Sequence, residues 1–569
     1  MHFELISRDA GARICKIEHE NKKLKTPNIA IVVNPNKMII SIKELKKAGV
    51  ELIITNAYII SRSKFKEEIE KKKLHKFFGW ENFIYTDSGT FQMFSQGVKE
   101  INNKEILEFQ KRIGSDFITP VDVFTLPEDS YNVAEQKLIE TMKRIEEASK
   151  FNEFVLPIQG GLHIELRKKA CMFANKFTPR IFAIGGIVPL MNEYRYKELV
   201  DIILTCKLIL RADVPVHAFG VGHPITFALL SCCGVDIFDS AMYSLAAQEG
   251  RYLTPYGTKH INELTEFPCC CKVCRKTDPE DVKTMPKHEK EKFLALHNLY
   301  VTMQELRTIR QAIHENSLWE LVQIRARAHP KLLEALIFML RKYRKFFMEN
   351  DIFPKPRGIF YSGKETILRP EIVKAKKRLK HIQSNGEVIT TKIFGNIPKD
   401  LFPAYPFLHF VSFDEFKEPE VDWEKYFTLL LEYQFGKGAS SCIKNFELEF
   451  SKTGKPRFVK VEGKRIGTIS AETGFFIPNI FGAELLKDYI KKIFVKKEAE
   501  EFVRKGRNVL AKFAFTKDKI YPGEEVAIFN ENNELIATGK ALLNYKEIKF
   551  FKRGVAVKVR YSLKKCESS

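Results

Sequence analysis

Between residues 29 and 240 the chain alternates short apolar runs with longer amphipathic stretches eight times over, and few folds accept that rhythm. The runs are Ile29–Val33, Leu52–Thr55, Phe83–Thr86, Phe117–Val121, Phe154–Ile158, Ile181–Ile184, Val214–Phe219 and Val235–Phe238. Stretches of helical period, such as Asn103–Ile113, Val133–Phe151 and Tyr196–Ile209, separate most of them. Continuous apolar strands joined by helices describe a parallel sheet buried on both faces. Eight of them predict an α/β chain whose first half closes into a (β/α)8 barrel. An open doubly wound sheet is the alternative that the same pattern allows.

At 569 residues the chain has room for about four domains. After a cluster of cysteines comes a long helical region, about 287–347. Phe353, Pro354, Lys355, Pro356 and Arg357 then read as a linker. The expected division is a barrel with a metal-binding region (1–350, the metal region about 269–297), two small α+β segments (356–425 and 426–495) and a β-rich segment (500–569). The last has short alternating runs joined by turn residues such as Pro522-Gly523 and Asn532-Asn533.

The formal net charge is +22, which favours a polyanionic partner, nucleic acid first. Residues 501–569 alone carry +7, about three times the density of the remainder. A merely Lys-rich surface is the plainer explanation. No apolar run reaches the roughly 18 residues a membrane span requires. Charges interrupt the N-terminus where a signal peptide has its apolar core. A cytoplasmic protein without membrane partners is therefore expected. Of the 11 cysteines, four fall within six residues and most others lie in apolar surroundings. That pattern suits a reducing compartment and one metal site rather than a disulfide framework.

In a barrel enzyme the chemistry sits at the carboxyl ends of the strands. Here those ends carry Asn56, Asp87, Asp122, Gln159-Gly160-Gly161, Gly185-Gly186, Gly220-Val221-Gly222 and Asp239. Glycines at such turns let backbone groups approach a flat ligand. Two carboxylates at one mouth suit chemistry at an anomeric carbon: one attacks C1′, the other manages the proton of the departing or entering base. Asp122 and Gln159 could bind the edge of a nucleobase. Singly, each acid could instead be no more than a helix cap.

Cys269-x-Cys271-x2-Cys274 places three thiolates on one tight loop. His297, 23 residues beyond Cys274 on a helical run, is expected as the fourth ligand of a closed structural zinc (Zn2+) site. His288 and Cys270 compete for the assignment. A zinc base deaminase needs a His-x-Glu element and an open metal position, and the region has neither.

The segments YTDSGTFQMF, ITPVDVF, PIQGG, AIGG, FGVG and VDIFDSAMY, in this order, resemble the tRNA-guanine transglycosylases over most of residues 1–300. RYLTPYGT, PCCCKVC and the long C-terminal extension are similar to the archaeal branch. YPGEEVAIFNENNELIATGKALL and FKRGVAVKVR resemble a PUA domain. The resemblance implies a pentosyltransferase in which Asp239 is the nucleophile and Asp87 the general acid/base. It further implies that Phe91 stacks on the base while Asp122, Gln159, Gly185 and Gly186 hydrogen-bond it. It implies exchange of guanine 15 in the tRNA D-arm for 7-cyano-7-deazaguanine (preQ0), on the route to archaeosine, and a homodimer. A paralogous archaeosine synthase and a non-catalytic tRNA-binding protein are the alternatives. Where the family has DSGG or DSGS, this chain has DSGT, with Thr90. In the tail, Lys552, Arg553, Lys558 and Arg560 stand among Phe550, Phe551 and Tyr561, which suits contacts to RNA phosphates and bases.

Overall fold

A computed structural model describes residues 1–96, 102–382, 386–412 and 418–563. They divide into two compact units, one of 1–7, 12–314 and 321–339, the other of 8–11, 315–320 and 340–569.

The first unit opens with an antiparallel sheet of three strands, β1 (His2–Asp9), β2 (Ala12–His19) and β3 (Lys22–Lys25), which the sequence pattern does not announce. The eight parallel strands follow: β4 (Asn28–Val32), β5 (Leu52–Asn56), β6 (Phe83–Asp87), β7 (Phe117–Ile118), β8 (Val155–Ile158), β9 (Ile181–Ile184), β10 (Val216–Ala218) and β11 (Ile237–Ser240). Their order is β7-β6-β5-β4-β11-β10-β9-β8. A parallel bridge between Ile118 and Phe154 joins β7 to the residue before β8 and closes the ring. The open-sheet alternative therefore falls, and the fold is a TIM-type barrel.

Nearly every barrel strand residue is buried, as expected where helices cover the outside and side chains fill the inside. Helices start where their sequence lets them. Before Ile42–Ala48, Ser41 and Glu44 form a reciprocal capping box. At the barrel floor Arg13 of β2 clamps Asp236. Its Nε donates to Oδ1 at 2.9 Å and its Nη2 to Oδ2 at 2.7 Å, both residues buried. A second hairpin, β12 (Arg251–Thr254) with β13 (Gly257–His260), precedes the cysteine loop and the 29-residue helix Lys287–Glu315.

In the second unit one hydrophobic core runs from Phe353 through Tyr405, Leu430, Tyr433 and Phe476 to Phe529. The stretch 353–357 is not an exposed linker. Lys355 is only 1% exposed, and its ammonium meets Asp9 (2.6 Å), Asp351 (2.9 Å) and Glu371 (3.0 Å). Its prolines signalled a chain break, but three carboxylates compensate the buried charge. A four-stranded antiparallel sheet spans Phe446–Pro478. The C-terminal sheet has six strands, with Lys491–Val495 lying parallel to Glu525–Phe529.

Candidate active site

The ends of β5 and β6 are in register, Asn56 beside Asp87. The Asn56 amide donates to Asp87 Oδ2 at 3.0 Å and to Gln92 Oε1 at 2.9 Å. The Gly89 N–H also donates to Asp87 Oδ2, at 3.2 Å. Despite these donors, burial first, and then the charges of Asp122 and Asp239, push the Asp87 carboxyl up to about 7 from an ordinary 3.8.

On the far side of the same mouth, Asp239 of β11 is 6% exposed. His217 Nε2–H donates to its Oδ1 at 2.8 Å, and so does the Gly220 N–H at 2.5 Å. Sequence reasoning did not single out His217. It sits inside an apolar strand rather than at its end, and the only signal was a polar residue on the inward face of Val216–Ala218.

Asp122 and Gln159 form a third group. Gln159 Nε2 donates to Asp122 Oδ2 at 2.5 Å, and its Oε1 accepts from Thr125 Oγ1 at 3.4 Å. Burial raises the Asp122 carboxyl, while bonds from Gln159 and from the Thr90 hydroxyl oppose that. The DSGT departure therefore places a hydroxyl on Asp122. Thr90 is in turn 3.0 Å from the hydroxyl of Ser88.

Gly185 and Gly186 close the group from β9. A Cβ on Gly185 would lie 2.4 Å from Gln159 Nε2, and Gly186 has φ +67°. Only glycines allow the amide to rest there. Beneath the turn, buried Arg167 donates to the carbonyls of Ile158 (2.7 Å) and Gly161 (2.9 Å), fixing the end of β8. Phe91 belongs to the short helix Thr90–Ser95, and its side chain lies outside the described residues.

Away from the mouth, one potential ligand atom from each of Cys269, Cys271, Cys274 and His297 falls within 4.8 Å of the others. Cys271 Sγ is 3.5 Å from Cys274 Sγ, and His297 Nδ1 is 3.2 Å from Cys274 Sγ. These are the separations of a tetrahedral edge with metal–ligand bonds of about 2.0–2.3 Å. His297 Nε2–H donates to the Leu253 carbonyl at 2.9 Å, which leaves Nδ1 to ligate. The Tyr252 ring stacks on the imidazole, centroids 3.5 Å apart. Cys270 is exposed and His288 is outside the cluster, so neither displaces a member. A three-cysteine, one-histidine donor set fits a metal ion in a closed site.

Lys552 and Arg553, just before the last strand Val555–Ser562, and Lys558 within it are exposed. Arg560 grips the Glu525 carboxylate through Nε (3.0 Å) and Nη2 (2.9 Å), so much of its charge is answered. Phe551 is buried and Phe550 partly exposed. The same unit also holds an open cavity of about 710 Å³ whose lining includes Arg344, Lys345, Lys377, His381 and Lys519.

A closed parallel barrel with three carboxylates and two amides gathered at the carboxyl ends of its strands defines a barrel enzyme built to work on a polar, ring-shaped group. Sequence comparison agrees, and the chain belongs to the queuine tRNA-ribosyltransferase family, whose profile matches residues 9–331. Residues 427–492 match the patch-forming domain C2 of tRNA-guanine transglycosylase, and residues 491–563 match the PUA domain. The tRNA-guanine(15) transglycosylase of Pyrococcus furiosus is 43% identical over 98% of both chains. That of Thermococcus kodakarensis is 41% identical over 99% of both. That of Methanocaldococcus jannaschii is 38% identical over 99% of this chain and the whole of its own. Among the described residues no helix is long and apolar enough to cross a membrane.

Proposed function

We propose that this chain is a tRNA-guanine(15) transglycosylase that replaces guanine 15 of the D-arm with preQ0. The observation that carries the reading is two carboxylates at one barrel mouth in unlike surroundings. Asp239 is anchored by two donors on one oxygen, while Asp87 is a carboxyl whose proton is retained to about pH 7. Unlike environments for paired acids separate a nucleophile from an acid/base. The full-length similarity to enzymes of that name supports the substrate.

In this mechanism an Asp239 oxygen attacks C1′ of nucleotide 15 and the glycosidic C–N bond breaks. Asp87 gives its proton to the departing guanine. A ribosyl ester on Asp239 results. PreQ0 then enters, Asp87 removes its ring N–H proton, and that nitrogen attacks C1′ to expel the Asp239 carboxylate. Asp122, Gln159 and the Gly185-Gly186 turn hold the base by its polar edge, with Phe91 stacked on its face. A base reaches such a pocket only after leaving its stack in the RNA. The PUA segment and its exposed Lys552, Arg553 and Lys558 would hold the tRNA while that happens, with Arg560 as a lesser contributor.

The remaining assignments follow the same reading: a barrel with its metal region over 1–350, segments 356–425 and 426–495, an RNA-binding segment over 500–569, and a cytoplasmic homodimer. The metal is zinc, held by Cys269, Cys271, Cys274 and His297. When bound it would supply a structural cross-link between the cysteine loop and the helix Lys287–Glu315.

The test is release of labelled guanine from tRNA on addition of preQ0, with the covalent RNA–protein adduct trapped on a denaturing gel and mapped. We expect release, an adduct on Asp239, and none from Asp239→Asn. Absence of guanine release would turn the reading toward an archaeosine synthase or a non-catalytic tRNA-binding protein. An adduct on Asp87 would reverse the roles.

A further inference from the structure

We propose that His217 is the positioning residue of the nucleophile, selecting which Asp239 oxygen attacks. The proposal rests on Asp239 being the nucleophile. β10 and β11 run parallel with His217 opposite Ile237 and Ala218 opposite Phe238. Side chains alternate along a strand, so Asp239, two residues after Ile237, shares the inward face of His217. The imidazole is fully buried. Tyr85 meets it edge-on at 5.5 Å, and the Phe219 ring lies 4.8 Å away. Its Nδ1 has no hydrogen-bond partner among the described residues. Among the described residues its one polar engagement is therefore with Asp239, at 2.8 Å.

A buried polar ring with one nitrogen unanswered is a poor filler for an apolar strand, because burying a polar group without a partner is unfavourable. The engagement with Asp239 gives it a purpose. A carboxylate acting as nucleophile accepts hydrogen bonds and does not donate them, so in this reading His217 Nε2 is the donor. Both hydrogen bonds found on the Asp239 carboxylate among the described residues end on Oδ1. Oδ1 is thereby held back, and Oδ2 is the oxygen presented to C1′. In the ester that forms, Oδ1 becomes the carbonyl oxygen, still facing the same two donors. When the second base attacks C1′, the electron pair of the breaking C1′–Oδ2 bond returns to the carboxylate, and those donors meet the charge as it reappears. One imidazole thus orients attack and eases departure without exchanging a proton. Rings on two sides fix its plane.

The experiment compares three variants of the full-length protein: His217→Phe, which keeps the ring and loses the donor; His217→Gln, whose amide can place an N–H near the Nε2 position; and Asp239→Asn. Single-turnover adduct formation, adduct decay with preQ0, tRNA affinity and melting temperature are measured for each. Loss of one fixed donor to reacting charge lowers rates about 10²–10³-fold. We expect His217→Phe to slow both adduct formation and its decay by about that factor, with tRNA affinity unchanged, and His217→Gln to recover at least tenfold of the loss. Wild-type rates in His217→Phe would overturn the proposal. So would a His217→Gln enzyme as slow as His217→Phe, which would mean that shape and not the donor matters. If His217→Phe fails to melt cooperatively, His217→Gln against wild type decides, and a loss of more than a hundredfold overturns the proposal; if His217→Gln fails, His217→Phe against wild type decides, and unchanged rates overturn it. If Asp239→Asn still forms the adduct, the assignment of the nucleophile itself fails, an outcome independent of both His217 variants.

Discussion

Asp87 and Asp239 stand at one barrel mouth in different company, and the difference predicts a pH profile. Burial and two neighbouring carboxylates raise the Asp87 carboxyl to about 7. The sign follows from that direction. Below its ordinary value of 3.8 the group is protonated folded or unfolded; between about 4 and 7 only the folded chain retains the proton. Its stabilising contribution is therefore full at low pH and lost as pH rises through about 7. In the proposed mechanism the acid form is also the one that protonates departing guanine. Adduct formation should fall about tenfold per pH unit above 7 while tRNA affinity holds steady. Asp87→Asn should slow adduct formation by about 10²–10⁴-fold and flatten the profile. A wild-type rate rising from pH 7 to 9 would contradict this. Asp87, Asp122, Gln159 and Asp239 were legible as candidates because each ends an apolar run, and strand ends are where barrel chemistry sits. His217 and Arg167 were not. Both lie inside elements, and their partners, Asp239 and the carbonyls of Ile158 and Gly161, exist only once the barrel closes.

At the scale of elements, runs of apolar residues located all eight barrel strands, since strands buried on both faces have no polar alternation to obscure them. Three came out shorter than their runs, β7, β8 and β10. β7 stops at Ile118, and Pro120, which lacks an N–H, cannot extend the ladder. β1 to β3 went unread because their alternation carries charged residues, as in HFELISRD. That sheet nonetheless bolts the barrel floor through Arg13 and Asp236. Removing one partner of a buried pair leaves an uncompensated charge, so Arg13→Ala should cost about 3–5 kcal/mol in chemical denaturation. A loss below 1 kcal/mol would show that the pair is dispensable. Cys269, Cys271, Cys274 and His297 would hold the cysteine loop to the helix Lys287–Glu315 in an analogous way, through a metal ion in place of an ion pair. Cys271→Ser should lose the metal and lower the melting temperature, because binding energy at a structural site is folding energy. Loss of metal at an unchanged melting temperature would mean that the loop is held by Tyr252 and the backbone alone.

For the whole molecule, the least legible part was the region after residue 340. Prolines suggested a linker at 353–357, yet Lys355 is buried, as is the core around Tyr405 and Tyr433. A local sequence signal does not reveal which distant carboxylates will meet a lysine. The surplus of positive charge was legible, but its placement was not. Part of it lies on Lys552, Arg553 and Lys558, just before and within the last strand, and part around the cavity lined by Arg344, Lys345 and Lys377. Every phosphate neutralised by a cation releases counterions, so each such contact contributes to the slope of log affinity against log salt, about 0.9 on duplex DNA and about 0.7 on single strands. Two double variants separate the surfaces. Lys552→Ala/Arg553→Ala and Lys345→Ala/Lys377→Ala should each weaken tRNA binding and lower the slope by about 1–2. Arg560→Ala should change the slope far less, because Glu525 already answers that guanidinium. Melting temperatures guard against unfolding. A slope unchanged in Lys345→Ala/Lys377→Ala but lowered in Lys552→Ala/Arg553→Ala would confine RNA contact in this unit to its last sheet. A slope unchanged in both would remove the second unit's basic surfaces from tRNA binding and leave the barrel to hold the RNA.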